Sequence, residues 1–305
     1  MKPSPVIDTP ILYCGNTDRS AAYVAMQLRR NMSALRYPGG KRTFTPFLAK
    51  VIIANNLQGC RYLEPYAGGA GAALELLRLG VVSSVVINDK DPAVYWFWKA
   101  ALTQGERFIE RIENVDLTVD EWRSQRQVLR SRARGFELGF AAFYLNRTCM
   151  SGVIKHCGGP IGGYDQSGNY KIGCRFHRDV LAAKIRFLHE KRNCISISNM
   201  DALRFLKKHS PDKDSSITYL DPPYYHKASE LYLNAYTHTD HERLRDFLLR
   251  EYHDHCWILS YDLCSEVLEL YRHHQYTTVH RHHALANNGR RREFVTVSDR
   301  LRLPT

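Results

Sequence analysis

A run of nine residues, Leu63-Glu64-Pro65-Tyr66-Ala67-Gly68-Gly69-Ala70-Gly71, separates a short strand pattern at 61–63 from an apolar helical pattern at 72–79. A β-branched stretch, Ser84-Val85-Val86-Ile87, follows and ends in Asn88-Asp89. Strand, glycine loop, helix, strand is a unit that closes as two parallel strands with the helix across one face, because strands so far apart in sequence need a crossover. The alternation returns later, with strands expected at 194–197, 217–220 and 256–260, and helices at 202–208 and 241–252. A last strand pair, 276–280 and 293–297, closes the chain. Upstream, a turn at Tyr37-Pro38-Gly39-Gly40 precedes an apolar helix at 45–57. The expected class is therefore α/β: a mostly parallel, Rossmann-like sheet covered by helices, with ligands bound outside the carboxyl ends of its strands.

Between residues 95 and 191 the character changes. A polar helical stretch carrying Arg123, Arg126, Arg130, Arg132 and Arg134 comes first. From 143 to 177 the chain is Gly-rich, aromatic and basic, without a helical period. Gly158-Gly159, Gly162-Gly163 and Ser167-Gly168-Asn169 read as turns between short strand-like runs, so a hairpin-bearing insertion is expected. The division is an N-terminal extension at 1–33, a core built from 34–95 and 192–305, and an inserted smaller domain at 96–191.

Charge gives a bias toward a partner. With 43 Lys and Arg against 31 Asp and Glu, the formal net charge of +12 favours a polyanion, since neutralising phosphates releases condensed counterions. The first twenty residues hold no long apolar core, and no stretch approaches the ~18 apolar residues that a bilayer span needs. A cytoplasmic protein without a membrane partner is expected. The eight cysteines form no Cys-x-x-Cys pair, which disfavours a zinc ribbon or a disulfide framework. The group Cys149, His156, Cys157, Cys174 and His177 fits no standard finger spacing, so no metal is expected.

Two constellations carry chemistry. The glycine loop would let backbone approach a ligand closely, and Asp89, at the end of the next strand, stands where a carboxylate accepts from ribose hydroxyls. That suggests an adenosine-containing cofactor, with a dinucleotide and S-adenosylmethionine both open. Asp221-Pro222-Pro223-Tyr224 decides between them. It follows an apolar strand, placing a carboxylate, two rigid prolines and an aromatic ring at the sheet's carboxyl edge. An aryl amine is a poor nucleophile because its lone pair is conjugated with the ring. Acceptors on both its N–H bonds favour pyramidalisation and let the lone pair attack a sulfonium methyl. Asp221 is read as one acceptor, the Pro222 carbonyl as the other, Pro223 as stiffening the loop, and Tyr224 as the face on which an extruded base stacks.

With those residues in place, the sequence resembles the Dam-like family of N6-adenine DNA methyltransferases over about residues 35–297. The order is the same: Pro-Gly-Gly-Lys, glycine loop, acidic residue, recognition insertion, Asp-Pro-Pro-Tyr. The resemblance implies a Rossmann-like S-adenosylmethionine-dependent methyltransferase core with an inserted DNA-recognition domain. It implies that Tyr37, Gly39 and Lys41 lie against the cofactor, and that Glu64, Pro65, Tyr66, Ala67, Gly68 and Gly69 wrap its methionine part. Asp89 would hold the ribose, Asp201 the adenine amine, and Asp221 would border the same site. Phe143-Tyr144-Leu145-Asn146-Arg147-Thr148 matches the family's Leu-Asn-Arg signature. Asn146, Arg147, Lys155, Tyr164, Lys171 and Arg175 are the residues expected to meet double-stranded DNA, as basic groups among aromatics suit phosphate clamping beside a flipped base. Ser151-Gly152 stands where relatives carry Asn-Gly, so the family's common palindromic target is not assumed.

The implied activity is site-specific transfer to adenine N6 in duplex DNA, by base flipping and direct transfer. DNA binding would place the protein on the nucleoid, and a cognate restriction endonuclease is a partner such an enzyme could have. Rival readings are an adenine in RNA, another planar amine (cytosine N4 or a protein glutamine), and a DNA-binding relative without activity. The leading Asp of the Asp-Pro-Pro-Tyr loop and the basic insertion favour adenine in DNA over the other amines.

Overall fold

The structure is a computed structural model that describes residues 32–36, 41–131, 133–152, 154, 158–209, 212–225, 236–281 and 291–303. Tyr37, Gly39, Lys155, His156 and Cys157 lie outside the described residues, as do the other members of the turn at 37–40.

Seven strands form one sheet in the order β3-β2-β1-β4-β5-β7-β6. They are β1 (Arg61–Glu64), β2 (Ser84–Asn88), β3 (Ile195–Ser198), β4 (Ser216–Leu220), β5 (Trp257–Asp262), β6 (Tyr276–Arg281) and β7 (Arg291–Val297). The first five are mutually parallel, and β7 lies antiparallel between β5 and β6. Each strand expected outside residues 143–177 is present within two residues of its expected start and end.

Alternation assigns the two faces. Tyr62, Val85, Ile217, Tyr219, Ile258, Val295 and Val297 point into one apolar core, which continues into the helices of residues 92–190. Leu63, Val86, Leu220, Trp257, Leu259 and Phe294 point into a second core on the opposite face. Central β4 is buried at all five positions, which is why its sequence is apolar or small throughout.

Among the described residues ten α-helices accompany the sheet: α1 (Thr45–Ala54), α2 (Gly71–Arg78), α3 (Pro92–Thr103), α4 (Gly105–Asn114), α5 (Val119–Arg130), α6 (Gly135–Thr148), α7 (Arg178–Glu190), α8 (Ala202–Lys208), α9 (His238–Asp246) and α10 (Ser265–Leu270). Their starts follow local chemistry. Asp91 caps α3 by accepting from the Ala93 amide, with Pro92 at the first helical position. Thr237 and Asp240 form a reciprocal capping box at α9, which runs on into a π-helical turn at Phe247–Glu251.

The expected hairpin is corrected. Residues 143–148 end helix α6, and among the described residues of 143–177 the only strand-like pairing is a single bridge between Cys149 and Pro160. The glycines mark turns in an irregular loop that closes with a 3-10 turn at Ile172–Arg175. Helix α3 also runs through the expected boundary at 95/96 and shares its core with the sheet.

Candidate active site

Winding reverses between β1 and β4, so the loops leaving their carboxyl ends diverge and open a crevice there. Glu64, Asp89, Asp201 and Asp221 all stand at that edge, one at the end of each of the strands β1 to β4 or in the loop beyond it.

The glycine loop turns on left-handed backbone and is fixed by hydrogen bonds from the elements around it. Gly68 has φ +47°, and Ala70, the residue before α2, is left-handed at φ +43°, a conformation costly for a residue with a side chain. Buried Asn88 holds the surrounding loops together: its Nδ2 donates to the carbonyls of Pro65 (2.9 Å) and Met200 (3.0 Å), and its Oδ1 accepts from the Met200 amide. The Ala67 amide donates to the Asn88 carbonyl, and Trp98 Nε1 donates to the Gly68 carbonyl, both at 2.9 Å. Buried Gly69 completes the turn. Tyr66 Oη pairs with Tyr236 Oη at 2.8 Å.

Asp89 accepts from the Gly68 amide through Oδ2 and from the Asp91 amide through Oδ1, each at 2.9 Å. Burial pushes its carboxyl up to about 7, against the two amides that favour the charged form. Asp201 caps α8, with Oδ1 accepting from the amides of Leu203 and Arg204. Its side chain is exposed at the crevice edge, so capping leaves room for a ligand contact. Buried Glu64 has an Oε2 with no hydrogen-bond partner. Burial and the neighbouring Asp221 hold its carboxyl well above the usual range.

Asp221 leaves β4 into an ion network. Lys41 Nζ lies 3.0 Å from Asp221 Oδ1 and 2.9 Å from Glu293 Oε2, and the side chains of Lys41 and Glu293 are only 4% and 6% exposed. Ser260 Oγ donates to the same Asp221 oxygen at 3.4 Å. Tyr224 Oη accepts from Lys41 at 3.4 Å and donates to Glu293 Oε1 at 3.5 Å. Pro222 and Pro223 are buried, and the Tyr225 amide donates to Asp262 Oδ1 at 3.1 Å, tying the loop to the end of β5. The sequence reading did not single out Glu293 or Ser260. A signal was present for Glu293: on β7 it shares a face with Val295 and Val297, and an acidic residue at an apolar register position needs a buried partner.

The residues expected at DNA divide. Tyr164 is exposed, edge-on to Trp122, and its Oη accepts from Arg126 at 3.3 Å. Lys171 donates to the Gln166 carbonyl, and Arg175 reaches the Met150 carbonyl at 3.5 Å. Met150 and Tyr170 are exposed on the same loop region. Asn146 and Arg147 point the other way. Asn146 is fully buried; its Oδ1 accepts from the Arg36 amide at 2.7 Å, and its Nδ2 donates to the carbonyls of Arg36 and Gly152, each at 2.6 Å. Arg147 donates to the Ala34 carbonyl, and burial pulls its guanidinium down to about 10. Arg36 in turn donates to the carbonyls of Asn146, Cys149 and Met150. The expectation of direct DNA contact is therefore corrected for Asn146, whose amide is spent inside the protein. Arg147 is committed to the same strap, residues 32–36.

A sheet in this order, parallel from β3 through β5 and antiparallel at β7, with a glycine loop after its first strand and acidic residues at its carboxyl edge, is a Rossmann-like fold of the methyltransferase type. Residues 37–286 match the D12 class N6 adenine-specific DNA methyltransferases. The chain belongs to that family and is a methyltransferase enzyme acting on adenine. Among curated proteins no sequence relative matches. Among solved structures, the rRNA methyltransferase aviRa from Streptomyces viridochromogenes is similar at 11% identity and a TM-score of 0.37, covering 93% of this chain and 95% of that one. A second structure of it gives 12% identity, a TM-score of 0.36, and coverage of 90% and 92%. Those values are too low to bear on substrate.

Proposed function

We propose that the chain transfers the methyl group of S-adenosylmethionine to N6 of an adenine flipped out of double-stranded DNA, at a defined site. The observation that carries this reading is the meeting of Asp221 and the glycine loop at one sheet edge, with Asp221 oriented by Lys41 and Ser260.

The residues present fit the cofactor. Glu64 stands at the end of the strand that feeds the glycine loop, and its buried Oε2, beside the Tyr62 hydroxyl and without a hydrogen-bond partner, would accept a further donor such as an ammonium. Tyr66, Ala67, Gly68 and Gly69 would wrap the methionine part, Asp89 would take the ribose, and Asp201 the adenine amine. When bound, this cofactor supplies an electrophilic methyl on a cationic sulfur.

The protein's part in the reaction is orientation and acceptance of protons. Asp221 and the Pro222 carbonyl accept the two amine N–H bonds, drawing the lone pair out of conjugation. Tyr224, fixed at its hydroxyl by Lys41 and Glu293, offers a ring against which the base stacks. Asp221 is placed to take the proton that N6 sheds after methylation. The helices and loops of 96–191 serve as the recognition insertion, with Tyr164, Lys171 and Arg175 toward DNA. Such binding would put the protein on the nucleoid, and any cognate restriction endonuclease would cut at the site it methylates.

Asp221→Ala should abolish transfer of labelled methyl to duplex DNA while leaving cofactor affinity within about threefold, as expected of a group that acts on the amine. Substantial residual turnover would refute the assignment. Competition between duplex DNA and RNA in the same assay separates the two polynucleotides as substrate, and methylation-sensitive sequencing of DNA from cells expressing the chain gives the target site.

A further inference from the structure

We infer that Glu293 is a positioning residue for methyl transfer: from β7 it holds Lys41 so that the ammonium is shared between two carboxylates and does not collapse onto Asp221. This rests on the reading of Asp221 as the amine's acceptor.

The geometry is specific. Lys41 stands just before α1 and Asp221 just after β4; Glu293 enters from an antiparallel strand that β5 separates from β4. Three distant parts of the chain thus meet at one nitrogen, with N···O distances of 3.0 and 2.9 Å. Counted over the whole residue, Glu293 is 4% exposed and Lys41 5%. Burial of that kind is costly for either ion unless it is paired, so the pair is not incidental surface charge. Glu293 also reaches Tyr224 Oη through its other oxygen, so one side chain braces both the lysine and the stacking tyrosine of the catalytic loop.

The consequence for chemistry follows from charge. An acceptor for amine N–H bonds works best as a carboxylate with electron density to give. A lone ammonium at 3.0 Å would withdraw that density and compete for the same oxygen. With Glu293 opposite, Lys41 still orients Asp221 Oδ1 but divides its charge. Asp221 also faces the buried Glu64 carboxyl, which the substitution leaves in place, so Glu293→Gln does two things to Asp221: it takes one of two carboxylates away from Lys41, and it removes a nearby like charge. Both favour the ionised carboxylate, so both move its titration to lower pH.

The test is steady-state methylation of duplex DNA across pH for the full-length wild type, Glu293→Gln and Glu293→Asp. In Glu293→Gln, kcat should fall about tenfold or more with both KM values within about threefold, and the acidic limb of the kcat profile should move down by about half a pH unit or more. Glu293→Asp should recover part of both effects. A loss of turnover with an unmoved acidic limb, or an effect confined to KM, would overturn the proposal; so would a Glu293→Asp variant no closer to wild type than Glu293→Gln, because a loosened fold that admits water also lowers that limb. Acylation of Lys41 read by mass spectrometry supplies a readout independent of activity. Labelling should be faster in Glu293→Gln than in wild type, and equal rates would overturn the proposed hold on Lys41. If wild type itself methylates no polynucleotide, the reading of the reaction fails, while the labelling comparison still decides whether Glu293 restrains the lysine.

Discussion

Asp89 shows how one side chain can couple loop shape to ligand capture. Its two oxygens already accept the Gly68 and Asp91 amides, and any ribose hydroxyl would have to use the remaining lone pairs. Burial has raised its pKa to about 7, so below that pH the group becomes a protonated acid with less capacity to accept. Cofactor affinity measured by calorimetry should therefore weaken as pH falls below about 7, by at most ~10-fold per unit, and Asp89→Asn should flatten the profile. A pH-independent affinity would remove Asp89 from the cofactor site. Asp89 and Asp221 could be placed from the sequence because each follows a strand at the edge where ligands bind, whereas Glu64 and Asp201 came only from the family resemblance. Glu293 could not be placed, because a charge written into an apolar strand gives its meaning only when its partner, 252 positions away, is known.

At the scale of elements, short apolar runs rich in β-branched residues made the strands readable, since a parallel sheet with a core on each face buries both sides of its strands. Helix α6 was partly misread for the opposite reason. It is buried almost all round, so it shows no amphipathic period, and it carries a glycine, Gly139, mid-helix. That glycine is there for packing: a Cβ would meet the Trp96 carbonyl oxygen at 2.3 Å, so the backbones of α3 and α6 could not approach as they do with any larger residue. The end of α6 grips the strap at 32–36, and Asn146→Ala would leave the Arg36 amide and two carbonyls without their partner. Urea denaturation should show a loss of about 2–4 kcal/mol, large because buried polar groups are orphaned. A loss below about 0.5 kcal/mol would mean that the strap is held by other contacts.

For the whole molecule, the net charge of +12 matters most through its salt dependence. If about six phosphates are neutralised, duplex affinity should fall roughly 10³-fold between about 50 and 200 mM salt, with a linear log–log slope. A flat response would argue that the positive charge serves solubility. Charge and α/β class could be read from composition and pattern. The connection between the insertion and the strap could not, because backbone carbonyls accepting from Arg36 and Arg147 leave no mark on residue types.

That connection limits how the enzyme can be re-engineered. The Leu-Asn-Arg segment belongs to the helices of the insertion, yet it anchors residues 34–36, and the chain reaches Lys41 only five residues beyond Arg36. A chimera that exchanges residues 96–191 for another member's while retaining the native 32–36 would sever this anchorage close to Lys41. Exchangeable units must therefore be cut as two pieces, 32–36 together with the helical block, even though they are far apart in the primary structure.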